Sequence, residues 1–168
     1  MTSGDNTLNL LLAVGNRSRG DDAAGPFLLD QLRPVLANFA GISWQIEECY
    51  QLQPELVEEI RSASRIWVVD ATREFSTGAE LISVSPAPQF EFTTHALSVT
   101  SLLALYAKVY HCPPPPTQLL KIGATQFELG APISAQTRAN IDTASRLFQQ
   151  TLIADPTTGI AGNPACTS

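Results

Sequence analysis

Apolar runs and alternating apolar and polar positions divide the chain into strand-like segments. Residues 10–14 and 66–69 are entirely apolar, which is typical of strands buried on both faces of a parallel sheet. Three further segments have the alternation or composition of strands: ISWQIEECY at 42–50, GAELISVSP at 78–86 and QLLKIGA at 118–124. The pattern therefore predicts about five strands.

Segments with apolar residues at helical spacing separate these strands. Residues 25–38 form an amphipathic pattern with Pro34 near its end, and a second, shorter pattern begins at Pro54. Ser98 and Ser134 are suitable N-caps for two more helices. Strands and helices that alternate in this way predict an α/β fold, a three-layer α/β/α sandwich around an about five-stranded, mostly parallel twisted sheet.

The 168 residues fit one domain with a single core. The prolines at 113–116 form a short stiff connector, because a strand follows them at once. We predict a single α/β domain over residues 1–154. The remaining residues, 155–168, are rich in Pro, Gly and Thr and are predicted to form a disordered tail.

Charge and hydropathy exclude several classes of function. The formal charge is −6, and the ten basic residues are scattered, which argues against general binding to nucleic acid or to an anionic membrane. The N-terminal segment MTSGDNT lacks the features of a secretory signal, and no apolar run reaches membrane-spanning length. We therefore expect a cytoplasmic protein without nucleic-acid or membrane partners.

Acidic residues follow both of the fully apolar runs. Asp21 and Asp22 lie in the loop between the first strand and the first helix, and Asp70 directly follows the second run. The carboxyl ends of parallel strands meet at one edge of a sheet, where open α/β folds bind ligands. Together with His95, just before the helix capped by Ser98, these acids form a suitable ligand set for zinc, nickel or cobalt.

Each of these residues also has a purely structural interpretation. An acid before a helix commonly caps it or stabilises its dipole, and that would account for Asp22. Asp70 lies where aspartate often accepts bonds from nearby amides, and His95 would be a satisfied polar residue beside a helix start. Taken singly, each residue favours the structural interpretation; their predicted position on one edge favours a site.

Familiar catalytic and nucleotide-binding motifs do not occur in the sequence. It contains no H-E-x-x-H, no G-x-S-x-G and no P-loop. The first loop has glycines at 15, 20 and 25, but its acid pair would repel a phosphate. These observations count against a nucleotide site.

In order along the chain, several motifs resemble those of nickel–iron hydrogenase maturation endopeptidases. They are Gly15-Asn16 with Asp21-Asp22 and Gly25, then QPE at 53–55, VVDA at 68–71, THALS at 94–98 and IGATQFELGAPIS at 122–134. The resemblance covers roughly residues 8–152. No single motif is specific, but their combination and order are.

This resemblance implies a cytoplasmic peptidase that removes a C-terminal extension from a hydrogenase large-subunit precursor after nickel insertion. It assigns Asp22, Asp70 and His95 to contacts with nickel that the substrate carries, and it implies no organic cofactor. Asp21, as the neighbouring acid, supports the loop or assists catalysis. Asp21, Asp22 and Asp70 are thus the catalytic candidates, and we expect a monomer.

Two other functions fit the same residues. A non-catalytic α/β module would bind a nucleotide or a partner protein at this edge of the sheet. A general metallopeptidase would retain its own ion. Thermal-shift titration with nucleotides and divalent metals distinguishes the first of these, and elemental analysis distinguishes the second.

Overall fold

Five strands form one sheet in a computed structural model that describes residues 7–39, 41–88 and 97–155. Their order across the sheet is β2-β1-β3-β5-β4, and only β4, at an edge, is antiparallel to its neighbour. The strands are β1 (Thr7–Val14), β2 (Ile42–Cys49), β3 (Arg65–Thr72), β4 (Ala79–Val84) and β5 (Thr117–Gly123). The predicted mostly parallel sheet of five strands is confirmed.

In the described part of the chain, four helices cover the two faces of this sheet. They are α1 (Ala24–Leu36), α2 (Leu56–Ser62), α3 (Val99–Tyr110) and α4 (Ala135–Ala154). One core packs α1 and α4 on the sheet, and the other packs α2 and α3 on the opposite face. The predicted three-layer α/β/α sandwich is therefore confirmed.

The helix ends follow the local sequence. The hydroxyl oxygens of Ser98 and Ser134 accept bonds from the third amide beyond them, at 3.1 Å in both cases, as predicted for N-caps. Pro34 lies inside α1, which continues to Leu36. The proline thus lies in the last turn and does not end the helix at the preceding residue.

Strand β1 alternates between the two cores. Leu11 and Ala13 lie in the core with α1 and α4, whereas Leu10 and Leu12 lie in the core with α2 and α3. All four are fully buried. Burying a leucine side chain stabilises a fold by about 1.5–3 kcal/mol, so the apolar run makes β1 the centre of the molecule.

The connections of β1 produce a crevice at one edge of the sheet. From β1 the chain passes through α1 to β2 on one side, and then through α2 to β3 on the other side of β1. The chain therefore reverses its direction across the sheet at β1, and the carboxyl end of β1 lies between those of β2 and β3. Open α/β sheets bind ligands at such a switch point.

Gly25 lets α1 lie directly on the two strands beside this crevice. A Cβ atom at this position would lie 2.4 Å from the carbonyl oxygen of Val14 and 2.9 Å from that of Val69. Both distances are too short for any side chain. The first turn of α1 is therefore seated on the backbone of β1 and β3.

We expect Gly25→Ala to destabilise the protein by about 2 kcal/mol. Alanine favours a helix by about 1 kcal/mol, but overpacking against rigid backbone costs about 3 kcal/mol. Urea denaturation measures the difference. Gly78→Ala is the control, since its Cβ would meet nothing within 4 Å and its positive φ of 87° would cost only about 1 kcal/mol. Equal losses in both variants would contradict the close-contact explanation.

Among the described residues, no helix combines the length and apolar character needed to cross a bilayer. Residues 7–39, 41–88 and 97–155 contribute to one sheet and its helices. Most of the tail predicted at 155–168 lies outside the described residues, which end at Asp155.

Candidate functional site

Asp22 and Asp70 line one cleft at the crevice between the ends of β1 and β3. The cleft has a volume of about 570 Å³, a size typical of pockets that take a small ligand or a short piece of polypeptide. Its described lining also includes the cations Arg19 and Lys121 and the hydroxyl-bearing Ser98. The structure thus brings together two of the predicted site residues, which are 48 positions apart in the sequence. This proximity is expected when two parallel strands end at the same edge of a sheet.

Asp22 lies in a 3-10 turn, Gly20–Ala23, that leads into α1. The N-cap position of α1 is occupied by Ala23, and the Asp22 carboxylate instead accepts a bond from the Asn16 amide at 3.1 Å. The interpretation of Asp22 as a helix cap is therefore wrong. Its side chain turns back over the loop and faces the cleft.

Gly15 and Asn16 determine where Asp22 lies. Gly15 has a φ of 140°, and a Cβ there would lie 1.9 Å from the carbonyl oxygen of Asp22, so only glycine lets the two backbone segments cross. The Asn16 side-chain oxygen accepts a bond from the Ser18 amide at 2.8 Å. The Asn16 carbonyl accepts from the Arg19 amide. The Gly-Asn pair therefore shapes the loop that presents Asp22.

Arg17 joins this loop to two other elements. Its guanidinium donates to Asp30 of α1 at 2.8 Å and to Glu48 of β2 at 2.7 Å. Those bonds lower the pKa of both carboxyl groups. Sequence reasoning missed this role; the available signal was the presence of two arginines, Arg17 and Arg19, in the loop that holds the acid pair.

Asp21 is fully buried and differs sharply from Asp22. Its carboxylate accepts bonds from the amides of Thr125, Gln126 and Ser134 and from the Ser134 hydroxyl, at 2.7–3.0 Å. Burial alone would raise its pKa, but these donors outweigh burial and lower the pKa to about 2. Of the two acids, only Asp22 is among the described residues that line the cleft. The geometry of Asp21 matches loop support, one of the two roles considered for it.

Asp70 has the opposite electrostatic environment. Burial, followed by the nearby charge of Asp22, raises its pKa to about 7, while the Ala71 amide partly opposes the shift. Near neutral pH this carboxyl therefore exists in both protonation states. Two carboxyl groups in one cleft, with one of them able to exchange a proton near pH 7, suit either metal binding or general acid–base chemistry.

Cys49, at the end of β2, is a free thiol close enough to Asp70 to sense its charge. Burial, reinforced by the charges of Asp70, Glu47 and Glu48, raises its pKa to about 11. The thiolate is the reactive form of cysteine, so Cys49 is not activated as a nucleophile at neutral pH.

The predicted third ligand, His95, falls in residues 89–96, outside the described residues. The two residues that directly follow that segment, Leu97 and Ser98, line the cleft. Within the part of the chain that the structure describes, no group of three His, Cys, Asp or Glu side chains is arranged to hold a metal ion. Of the three predicted metal contacts, the described part of the site contains two, the carboxylates Asp22 and Asp70.

Solved structures of hydrogenase maturation proteases have the same fold. The [NiFe] hydrogenase maturation protease HycI from Thermococcus kodakarensis KOD1 is 18% identical, with a TM-score of 0.64 over 90% of this chain and 95% of that one. The endopeptidase HybD from E. coli is 14% identical, with a TM-score of 0.66 over 89% and 94%. The endopeptidase HycI from Escherichia coli is 23% identical, with a TM-score of 0.60 over 96% and 99%.

No protein-family model and no curated protein matches the sequence. The identities to the solved structures are low, so the likeness concerns the fold. It agrees with the fold predicted from the alternation of strands and helices, along nearly the whole length of each chain.

Proposed function

We propose that the protein is a cytoplasmic endopeptidase that removes the C-terminal extension of a nickel–iron hydrogenase large-subunit precursor after nickel insertion. One observation carries this proposal: Asp22 and Asp70 share a cleft at the switch point of a fold found in hydrogenase maturation proteases. The motifs that resemble that family include both acids.

In this proposal Asp22, Asp70 and His95 contact nickel carried by the precursor. Carboxylates and imidazole are suitable ligands for nickel, and the paired acids make the cleft attractive to a cation. A precursor without nickel lacks the group that these residues bind. Substrate recognition would therefore also verify that nickel insertion is complete.

A carboxyl group whose pKa lies near neutrality can accept a proton from a water molecule and return it to the leaving amine. In the cleft without metal, Asp70 has that property through its burial and its proximity to Asp22. Nickel bound nearby would supply Lewis acidity at the scissile carbonyl. Asp21 contributes by holding the Asp22 loop to the loop after β5.

The direct test is incubation with precursor prepared with and without nickel, followed by intact-mass measurement. We expect a small loss of mass at the carboxyl end of the nickel-loaded form only. Asp22→Ala and His95→Ala should abolish that loss, whereas Asp142→Ala, an exposed acid on α4, should not. Normal processing by the His95 variant would contradict its metal role, and no processing by the unaltered protein would contradict the proposed function.

A non-catalytic nucleotide-binding module would behave differently in thermal-shift titrations. Stabilisation by nucleotides, without stabilisation by nickel, cobalt or zinc, would favour that alternative. Metal retained through purification would instead favour a metallopeptidase with its own ion. The acid-lined cleft favours neither a phosphate nor another polyanion.

We expect binding of the nickel-loaded precursor to weaken as the pH falls below about 7, because protons then compete with the metal for Asp70. The contribution of Asp70 to this loss should approach tenfold per pH unit, since one proton is displaced from this group. Isothermal titration calorimetry across this range measures it. His95, as an imidazole ligand, also competes with protons in this range, so Asp70→Asn should reduce the pH dependence by about one proton without abolishing it. An unchanged pH dependence would contradict the assignment.

A further inference from the structure

Arg19 places a cation at the rim of the cleft, on the same turn as Asp22. The Arg19 carbonyl accepts a bond from the Asp22 amide at 3.2 Å, and the arginine side chain lines the cleft. The side chain is exposed, so it is accessible to a substrate entering the cleft. Any group bound by this guanidinium would lie next to Asp22 in the cleft.

One nitrogen of the Arg19 guanidinium, Nε, is fixed by a hydrogen bond to the backbone. This nitrogen donates to the Phe127 carbonyl at 2.9 Å. The neighbouring amides of Thr125 and Gln126 are themselves fixed by the buried Asp21 carboxylate. The Phe127 carbonyl that binds Arg19 therefore belongs to a loop whose backbone is fixed by hydrogen bonds to Asp21. This arrangement limits how far the Arg19 side chain can move.

The other cation that lines the cleft, Lys121, is already paired with Glu74 at 2.6 Å. Arg19 forms no ion pair with any acid in the described part of the chain. Its two terminal nitrogens thus form a planar fork without an acidic partner. Such a fork matches the two oxygens of a carboxylate, and arginine is better suited to this contact than lysine.

We infer that Arg19 is a substrate-positioning residue that binds a carboxylate of the polypeptide being cleaved. The inference rests on the proposed endopeptidase function. Asp22, Asp70 and Glu74 would repel a carboxylate in the cleft, and so would the overall charge of −6. Arg19 offsets that repulsion at one place and so fixes the register of the bound chain. The carboxylate is either the terminal one or that of an acidic side chain in the extension.

The test compares steady-state processing of nickel-loaded precursor by Arg19→Ala, Arg19→Lys and the unaltered protein. We expect Arg19→Ala to raise KM about tenfold with kcat within about twofold, because the contact is made equally in the bound and reacting states. The KM of Arg19→Lys should lie between those of Arg19→Ala and the unaltered protein. Arg146→Ala removes an exposed arginine on α4 and should change neither constant.

Two altered precursors identify the carboxylate. One has a C-terminal amide, and the other has amides in place of the acidic side chains of its extension. The difference in KM between the unaltered protein and Arg19→Ala should disappear with one of them. A KM for Arg19→Ala equal to that of Arg146→Ala, or a difference that persists with both precursors, would overturn the inference while cleavage itself continues. Absence of cleavage by the unaltered protein would instead overturn the proposed function.

Discussion

Replacing Asp70 by asparagine is expected to reduce processing of the nickel-loaded precursor by at least about a hundredfold and, near pH 8, to make the protein more stable. Asparagine has nearly the same shape but no charge. It therefore removes a metal contact and a proton acceptor, and at the same time relieves an unfavourable buried charge. A substitution that merely disrupted folding would lower activity and stability together.

The gain in stability should depend on pH. The pKa of Asp70 is raised from 3.8 to about 7 in the folded protein, so the folded state binds more protons than the unfolded state between these values. The carboxyl therefore lowers stability progressively as the pH rises through this window. Asp70→Asn should gain about 1–3 kcal/mol near pH 8 and little or nothing near pH 4.

Urea denaturation at both pH values measures this difference. Asp142→Asn is a matched control, because it makes the same chemical change at an exposed acid on α4. Its free energy of unfolding should change little at either pH. A loss of stability in Asp70→Asn near pH 8 would contradict the view that burial and the charge of Asp22 raise the pKa of Asp70.

Asp21→Asn is expected to destabilise the protein by about 3 kcal/mol, which lowers Tm by roughly 6–12 °C in a chain of this size. The carboxylate accepts four bonds, and an amide retains only one of the two acceptor oxygens. The NH₂ group of the asparagine would face the amide and hydroxyl groups that donate hydrogen bonds to Asp21. The loops after β1 and β5 would then lose part of the hydrogen-bond network that joins them.

The stabilisation by Asp21 should disappear in acid. Its pKa is lowered from 3.8 to about 2, so its contribution is complete above about pH 4 and is lost as the pH falls towards 2. Asp22→Asn is the matched control, because it makes the same change one residue away. We expect it to lose processing while losing less than about 1 kcal/mol of stability, since its carboxylate accepts a single backbone bond among the described contacts. Equal stability losses would contradict the division of roles.

The local sequence alone determined the architecture. The apolar run 10–14 predicted a strand buried on both faces, and both serine caps lie where hydroxyl oxygens satisfy the free amides of a helix. Asp70 was predicted at the ligand-binding edge because it directly follows an apolar run; it lies near the carboxyl end of β3, which continues two residues further, to Thr72. These predictions succeeded because strand burial and helix capping depend on residues that are near one another in the chain.

The family resemblance already separated Asp22 from Asp21, but only the tertiary structure gave the physical reason for their different environments. The two are identical side chains in adjacent positions, and their roles differ because the donors to Asp21 come from residues more than 100 positions away. The anchor of Arg19 on Phe127 is equally distant in sequence. The raised pKa of Asp70 likewise depends on burial and on a charge across the cleft. Hydrogen bonds and electrostatic fields depend on distances in space, and the folded sheet sets those distances.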